Sequence, residues 1–563
     1  MFLIPNNMSA KAGLDFGTTF STISAYVNGV MRVLKLNDTE FIPTCLAITI
    51  TGDVVVGGPA QVLEEDEVAN CYFYDLKRWV GVDKINFDEI KEKIKPLYVA
   101  ELDGNDVKLT GIDRGFSCTY TVKQLILLYV ETLVRLFSKV ENLNIISLNV
   151  SVPADYKCKQ RMFMKSVCDS LGFSLRRIIN EPSAAAIYFV SKYAHFDSFL
   201  MYDLGGGTYD SSLIVKDGKY VTVADTEGDS FLGGRDIDRA ISNYIKNKYN
   251  LKFPLSADFL ASIKEEANSK GRDSFNVVDE KGRLITVKMS REELDSCIEP
   301  FSKKSINIIK NMVVRNQIRS GALFLVGGSS LLKKIQSDVA QFAKSHNLEC
   351  IIDPDLRSAV SFGCSMSHAQ EDTGNMVYID CNSHPLMDIA FFGNPKVLVR
   401  KPMAIPYTYR KEEFFKSHYS TILNVYEGSD PFVLYNDWLI SARMQSSLYC
   451  NIGETLEYLY KYSVDGILEL SVKNKTTGKE TVLPNTFTLT ESIKKLNLNL
   501  TQLSNVDETA TLIAILSHFK PDLKHLLTYV KTPTIFETKL NNISSAKELY
   551  KNLVDINKKF SNT

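Results

Sequence analysis

Three consecutive glycines stand between two apolar runs in Tyr202-Asp203-Leu204-Gly205-Gly206-Gly207-Thr208-Tyr209-Asp210. Phe199-Leu200-Met201 precedes and Ser211 to Val215 follows, so the segment reads as strand, glycine turn, strand. A glycine run costs backbone entropy and is tolerated where the main chain must approach something closely or adopt positive φ. A phosphate is the usual object of that approach. An earlier segment, Gly13-Leu14-Asp15-Phe16-Gly17-Thr18-Thr19-Phe20, has the same grammar: apolar strand, aspartate at its end, glycine, hydroxyls, second strand. The strand after Asp15 runs to Asn28-Gly29 and the one after Asp203 to Asp217-Gly218, dipeptides that favour two-residue hairpins. One glycine turn alone is usually a plain tight turn. The matched pair predicts a duplicated hairpin unit that presents N–H groups and hydroxyls to a polyphosphate from two sides, with Asp15 and Asp203 facing a cation.

Elsewhere the pattern is that of packed elements. Apolar residues at 122, 125, 126, 129, 130, 133, 134 and 137 form a helical stripe over Thr121 to Phe137. A buried strand follows from Ile145 to Val152 and ends at Pro153. Between Asp380 and Phe487 short strands alternate with proline and glycine turns, as in a β-sandwich. Thr511 to Phe519 and Ala546 to Ile556 read as helices. A length of 563 residues suggests three or four domains or subdomains.

Composition excludes several classes. With 45% hydrophobic and 23% charged residues the chain reads as soluble and globular. Its 65 basic and 66 acidic residues leave a charge of -1, so the whole molecule is not a polycation seeking nucleic acid. Ten cysteines show no Cys-x-x-Cys pair and no zinc-like spacing with the seven histidines, and read as buried thiols of a reducing compartment. The longest apolar run, Leu125 to Phe137, is broken by Glu131 and Arg135, which leaves no membrane span. Met1 to Pro5 lacks the basic leader of a signal peptide. No Gly-x-x-x-x-Gly-Lys-Ser/Thr loop is present, which removes P-loop enzymes.

Further motifs follow in fixed order: Phe73-Tyr74-Asp75-Leu76-Lys77-Arg78, Val152-Pro153-Ala154, Ile179-Asn180-Glu181-Pro182-Ser183-Ala184-Ala185-Ala186, Phe231-Leu232-Gly233-Gly234 with Asp236 and Asp238, and Leu325-Val326-Gly327-Gly328-Ser329-Ser330. With the two loops, this ordered set resembles the heat shock protein 70 family of ATP-driven chaperones, in the superfamily of actin and sugar kinases. The resemblance implies an α/β fold: an actin-like duplicated ATPase domain over 12–372, two lobes around a nucleotide cleft, after a disordered leader at 1–11. A linker at 373–380, a β-sandwich substrate- or partner-binding domain at 381–487 and a short helical C-terminal region at 488–563 would complete it.

The same resemblance implies ATP and Mg2+ as ligands and assigns roles. Asp15 and Asp203 would hold the metal through its waters, with Lys77, Glu181 and Asp210 completing a catalytic shell. Gly17, Thr18, Thr19, Gly205, Gly206, Gly207 and Thr208 would wrap the phosphates, while Gly233, Gly234, Lys264, Gly327, Gly328 and Ser329 would line the rest of the nucleotide. Pro153 and Arg161 would relay nucleotide state to the β-domain. Read without the family, Lys77 is a solvated lysine on an amphipathic segment and Glu181 an N-terminal helix cap beside a proline.

Departures from the family pattern are concentrated at the base. On the helix carrying Lys264, Ala261 stands at the family's Glu position and Glu265 at its Arg position, and Leu331 replaces a second Arg. Arg235 stands where an acidic residue is usual. Base recognition is expected to be weaker or less selective, while the phosphate and metal end is intact. Met376 to Asp380 is apolar and acidic but not leucine-rich, the helical region is short, and the C-terminus lacks an acidic tail motif.

Together these features resemble the heat shock protein 70 homologues of filamentous plant viruses, the closteroviruses and most closely their crinivirus branch. The likeness includes Val377 to Leu386 and Thr501 to Asn505. That group implies a chaperone-like ATPase acting in virion tail assembly and cell-to-cell movement. Its partners would be viral coat and movement proteins and host plasmodesmal or cytoskeletal proteins. The host cytoplasm, the virion and plasmodesmata would be its locations, with direct RNA binding undecided. The competing readings are a virion structural and movement protein with a vestigial nucleotide site, and a general folding chaperone. The second is disfavoured by the short helical region.

Overall fold

The computed structural model describes residues 8–65, 69–83, 86–104, 106–171, 174–279, 282–373, 376–389, 395–414, 421–429, 436–444 and 453–483. They divide into two units. The first comprises residues up to Val82, Phe87–Tyr156 and Gln160–Ser383, and the second the remaining described residues.

The first unit contains one sheet pattern twice. In the first sheet the order is Ser174–Asn180, Leu143–Val152, Met8–Phe16, Phe20–Val27, Val30–Val33. Its first three strands are parallel and its last two antiparallel. Leu348–Ile351, Gly321–Val326, Ser198–Leu204, Tyr209–Asp217 and Tyr220–Asp229 repeat that order and those senses in a second sheet. Strands buried on both faces carry unbroken apolar runs, and Leu323, Phe324, Leu325 and Val326 are all buried.

The first hairpin turns at Asn28 (φ 51°) and Gly29 (φ 82°), since Val27 pairs with Val30. Both central residues have the positive φ that a twisted two-residue hairpin requires. In the second hairpin Asp217 pairs with Tyr220, so the turn residues are Gly218 and Lys219 rather than the expected Asp217-Gly218. Asp217 remains in the ladder, and Gly218 takes the positive φ of 57°.

Thr121 caps the helix Val122–Glu141 in a reciprocal box: the Gln124 N–H donates to Thr121 Oγ1 at 3.2 Å and the Thr121 N–H to Gln124 Oε1 at 2.8 Å. Its buried stripe falls on Val122, Leu125, Ile126, Tyr129, Val130, Leu133, Val134 and Phe137, the positions given by the spacing.

Glu181–Lys192 and Ala359–Thr373 pack against each other, the first helix also against the second sheet and the second helix against the first sheet. Small residues permit it. A Cβ on Gly363 would fall 1.7 Å from the Ala184 carbonyl oxygen. Ser24 Oγ lies 2.8 Å from Ser361 Oγ and 2.6 Å from Ser365 Oγ, and Asn149 Nδ2 donates to Ser367 Oγ at 2.7 Å.

Two expected boundaries move. The stretch 1–11 was expected as a disordered leader, but the first strand begins at Met8, where Met8 pairs with Leu143 and buried Ala10 with Ile145. The stretch 373–380 was expected as a linker. Instead the helix Ala359–Thr373 reaches its first residue, and Val377–Cys381 is a strand. Tyr220, Val221 and Thr222 pair in parallel with Val377, Tyr378 and Ile379, because the edge of the second sheet offers an unpaired ladder to an apolar segment. Asp380 accepts a hydrogen bond there from Ser183 Oγ at 3.2 Å.

The second unit holds two antiparallel sheets. One has the order Pro395–Val399, Leu386–Ile389, Thr421–Glu427, Asp437–Met444, and the other Tyr407–Phe414, Thr455–Tyr462, Leu468–Asn474, Glu480–Leu483. Leu456, Tyr458, Tyr460 and Leu470 are buried. The periodicities at 511–519 and 546–556, and the whole of 488–563, lie outside the described residues. Among those described, nine cysteines form no disulfide, with Cys118 and Cys350 partly exposed, and no helix is long and apolar enough to cross a membrane.

Gly363→Ala is expected to destabilise the first unit by about 3 kcal/mol or more, because backbone rather than a movable side chain is in the way. Urea unfolding measures this; a loss under about 1 kcal/mol would contradict the tight helix crossing.

Candidate functional site

The two glycine turns meet. A Cβ on Gly206 would lie 2.1 Å from Thr19 Oγ1, and one on Gly207 would lie 2.4 Å from Thr18 Oγ1. Any side chain at either glycine would part the turns, which is the reason for glycine here. Each turn closes on itself: the Gly205 N–H donates to the Thr208 carbonyl at 3.0 Å, and a Cβ on Gly17 would fall 2.1 Å from the Phe20 carbonyl.

Two further loops join them. The N–H groups of Gly234 and Arg235 donate to the carbonyls of Gly205 at 3.0 Å and Gly206 at 2.7 Å, and Gly233 abuts the Gly207 backbone. Gly327, at φ 83°, comes so near the second turn that a Cβ would lie 2.6 Å from Asp203 Oδ1. Ser329 Oγ donates to the Gly205 carbonyl at 2.8 Å. Gly328 follows in the same short 3-10 turn, Gly328–Leu331.

Asp75 takes a left-handed conformation (φ 54°) and starts a single 3-10 turn, Leu76–Trp79, in which all four residues are buried. Lys77 and Arg78 therefore both point inward. Lys77 Nζ makes a close ion pair with Glu181 Oε1, and only 4% and 9% of the two side chains is exposed. Glu181 is the first residue of its helix, after Asn180 at the cap position, with Pro182 next. The N-terminal cap reading of Glu181 is thus corrected: its carboxylate is spent on Lys77.

Asp15, Asp203 and Asp210 face this pair. Ser151 Oγ donates to Asp15 Oδ1 at 2.9 Å, and the Asp155 N–H to Asp210 Oδ1 at 3.2 Å. Burial, and then the Glu181 charge, push the Asp15 carboxyl up to about 7. Burial first and Glu181 second also hold Asp203 and Asp210 well above the usual carboxylate range, with Asp210 and Asp15 adding to the effect on Asp203. Two buried aspartates, the partly buried Asp15 and a glutamate against one lysine make a surplus of carboxylates that a divalent cation would balance. Among the described residues no three acidic, cysteine or imidazole groups converge as a ligand set for a bare ion.

Ion pairs cross from one half of the first unit to the other. Arg78 Nη2 lies 3.0 Å from Asp236 Oδ2, and Arg235 Nε lies 3.2 Å from Asp75 Oδ1. Asp236 also holds Arg239 at 3.0 Å. Lys264 Nζ pairs with Asp238 Oδ1 at 2.8 Å and donates to the Gly234 carbonyl at 3.3 Å. Pro153 accepts the Tyr156 N–H at 3.1 Å, and buried Arg161 donates to the Tyr156 carbonyl at 2.9 Å and to Asn180 Oδ1, the residue before Glu181.

Sequence reasoning did not assign Asp75, Arg78, Asp236, Asp238, Ser151 or Asp155. Arg235, out of keeping with its motif, was the available signal for the crossed pairs. Nothing in the spacing marks Ser151, because its partner lies on a neighbouring strand.

A family model described as Hsp70 protein matches residues 11–510. The chain belongs to the Hsp70 family. It is 48% identical over 550 residues, 98% of this chain and 99% of the other, to a protein named Movement protein Hsp70h of Lettuce infectious yellows virus (isolate United States/92), a crinivirus. Proteins of the same name are 34% identical over 414 residues in Beet yellows virus (isolate Ukraine), 70% of this chain and 69% of the other, and 28% identical over 497 residues in Grapevine leafroll-associated virus 3 (isolate United States/NY1), 86% and 88%. Members of the Hsp70 family in general bind ATP with Mg2+.

The carboxylate cluster carries a pH dependence. Because the folded value of Asp15 is raised, its ionisation penalises the ligand-free native state as pH rises through about 7; below its ordinary value the penalty is absent. Asp15→Asn is therefore expected to raise the ligand-free melting temperature by roughly 2–5 °C near pH 8.5, the gain shrinking progressively as the pH falls from about 7 towards about 4. It is also expected to remove magnesium-dependent stabilisation by ATP. Scanning calorimetry reads both; no gain at the higher pH with the magnesium effect retained would count against the cluster.

Proposed function

We propose that this chain is a viral chaperone-like ATPase, binding ATP with Mg2+ between the turns of Asp15 and Asp203. Hydrolysis would be coupled to protein–protein interactions in virion tail assembly and cell-to-cell movement. The observation that carries the reading is the buried Lys77–Glu181 pair set among Asp15, Asp203 and Asp210. A lysine buried beside a surplus of carboxylates, under turns shaped for phosphate, has no evident structural use.

The reaction is in-line attack of water on the γ-phosphate, in which positioning and charge compensation supply most of the rate. Magnesium held there would supply charge neutralisation for the triphosphate. Asp15 and Asp203 would orient its waters. The hydroxyls of Thr18, Thr19 and Thr208 and the amides of Gly205, Gly206 and Gly207 would fix the phosphates. Lys77 Nζ would offset negative charge as it develops and orient the attacking water, with Glu181 holding the ammonium in place and Asp210 completing the polar shell. Gly233, Gly234, Lys264, Gly327, Gly328 and Ser329 would line the remainder of the nucleotide. Pro153 and Arg161, joined to Asn180, would pass the state of Glu181 towards the β-strand unit, which would grip viral coat or movement proteins and host plasmodesmal or cytoskeletal proteins. The names of the viral relatives support a role in movement; host cytoplasm, virion and plasmodesmata would be its locations.

A second reading, a structural and movement protein with a vestigial nucleotide site, has one observation in its favour: Lys264 is already neutralised by Asp238. Lys77→Ala separates the two. Magnesium-dependent ATP turnover is expected to fall about 100-fold or more with ATP binding retained, and turnover within threefold of wild type would refute the role given to Lys77.

A further inference from the structure

Two of the cysteines belong to one contact. Cys71 lies on Asn70–Tyr74, the outer strand of a small sheet in the order Val54–Val56, Cys45–Thr49, Asn70–Tyr74. Cys118 lies on Phe116–Thr121, the outer strand of another, in the order Phe116–Thr121, Asp106–Asp113, Val99–Asp103. In that second sheet Cys118 stands directly opposite Gly111, and opposite residues of an antiparallel pair put their side chains on the same face. It is the inner face. Val107, Leu109 and Gly111 are buried along it, while Ile112 on the other face is exposed.

Gly111 is the point where this face meets Cys71. A Cβ there would lie 2.5 Å from Cys71 Cβ and 3.1 Å from Cys71 Sγ. Without one, the Cys118 side chain reaches past Gly111 and its thiol hydrogen-bonds that of Cys71. The crossing is fixed beside the pair, where the Asn70 N–H donates to Asp113 Oδ2 at 3.0 Å. The two sulfurs differ in access: Cys71 is buried and Cys118 is partly exposed.

We propose that Cys71 and Cys118 are an oxidation site, closing to a disulfide on reaction with a small-molecule disulfide such as oxidised glutathione. Cys118, the accessible partner, gives up its proton and attacks one sulfur of the reagent, whose S–S bond breaks and releases one thiolate. Cys71 then gives up its own proton, attacks Cys118 Sγ and displaces the second thiolate. One S–S bond is broken in the reagent and one is made in the chain. The two cysteine protons end on the two released thiols, and two electrons pass from the pair to the reagent. Burial, and then the hydrogen bond and charge of Cys71, push the Cys118 thiol up to about 12. Little thiolate is therefore present near neutral pH, and the first step is slow. The same lack of thiolate stabilisation leaves the reduced form no advantage, so the bond resists reduction once made. Closure is fast, because the second sulfur is already held against the first. The bond would tie to its neighbouring sheet the strand that runs into Asp75 and the inward turn of Lys77.

Incubation of the full chain with oxidised glutathione, an acid quench, intact mass and peptide mapping test this on wild type, Cys71→Ala and Cys118→Ser. Wild type is expected to lose two hydrogens, with the peptides carrying Cys71 and Cys118 joined. Cys71→Ala is expected to stop at one glutathione on Cys118, at a level at least about tenfold above that in wild type. Cys118→Ser is expected to leave Cys71 unmodified. Glutathione persisting on Cys118 of the wild type, a bond from either residue to another cysteine, or thiols left at both positions would overturn the inference. So would glutathione on Cys71 in Cys118→Ser. No nucleotide enters the experiment, so its failure leaves the ATPase reading untouched.

Discussion

The close contact of two glycine turns imposes the rest of this architecture. Thr18 and Thr19 press on Gly206 and Gly207 with no room for a Cβ, so the aspartates that end the two preceding strands are carried into the same dry space. Burial and the Glu181 charge raise the cost of ionising both Asp15 and Asp203, and Asp210 and then Asp15 raise that of Asp203 further. Lys77 is the basic side chain paired within this group. The local oddities around the site serve that pairing. A left-handed Asp75 opens a single 3-10 turn that sends Lys77 inward. A helix begins at Glu181 without a side-chain cap, so its first carboxylate stays free for the lysine.

The two halves that present these turns are joined in two physically different ways. Helices Glu181–Lys192 and Ala359–Thr373 cross with backbone in contact at Gly363, and serines of the second bond to Ser24 and Asn149. Such packing has no intermediate state and costs several kcal/mol to open. Asp75, Arg78, Arg235 and Asp236 instead join the halves by crossed ion pairs, whose net worth against hydrated ions is far smaller.

Much of this was legible in the sequence wherever information is local. The stripe from Val122 to Phe137, the hairpin at Asn28-Gly29 and the glycine turns each announce themselves within a few residues, because propensity, period and φ requirement act at that range. What was not legible depends on distant partners. Arg78 and Asp236 are 158 residues apart. The strand Val377–Cys381 was expected as linker because its pairing is set by an open edge at Tyr220–Thr222, not by its own composition. Asp217 was placed in a turn on dipeptide preference, which the ladder overrode by one residue. At Met8–Lys11 no apolar run signals a strand; small Ala10 is buried only because Ile145 lies opposite.

The central claim is that a triphosphate and its cation are held jointly by Asp15 and Asp203. Titration of ATP into the full chain with magnesium, and again with the metal chelated, tests it most directly. The account predicts affinity at least about tenfold tighter with magnesium, a difference that Asp203→Ala abolishes. Equal affinity with and without the metal, or a metal effect that survives Asp203→Ala, would contradict it.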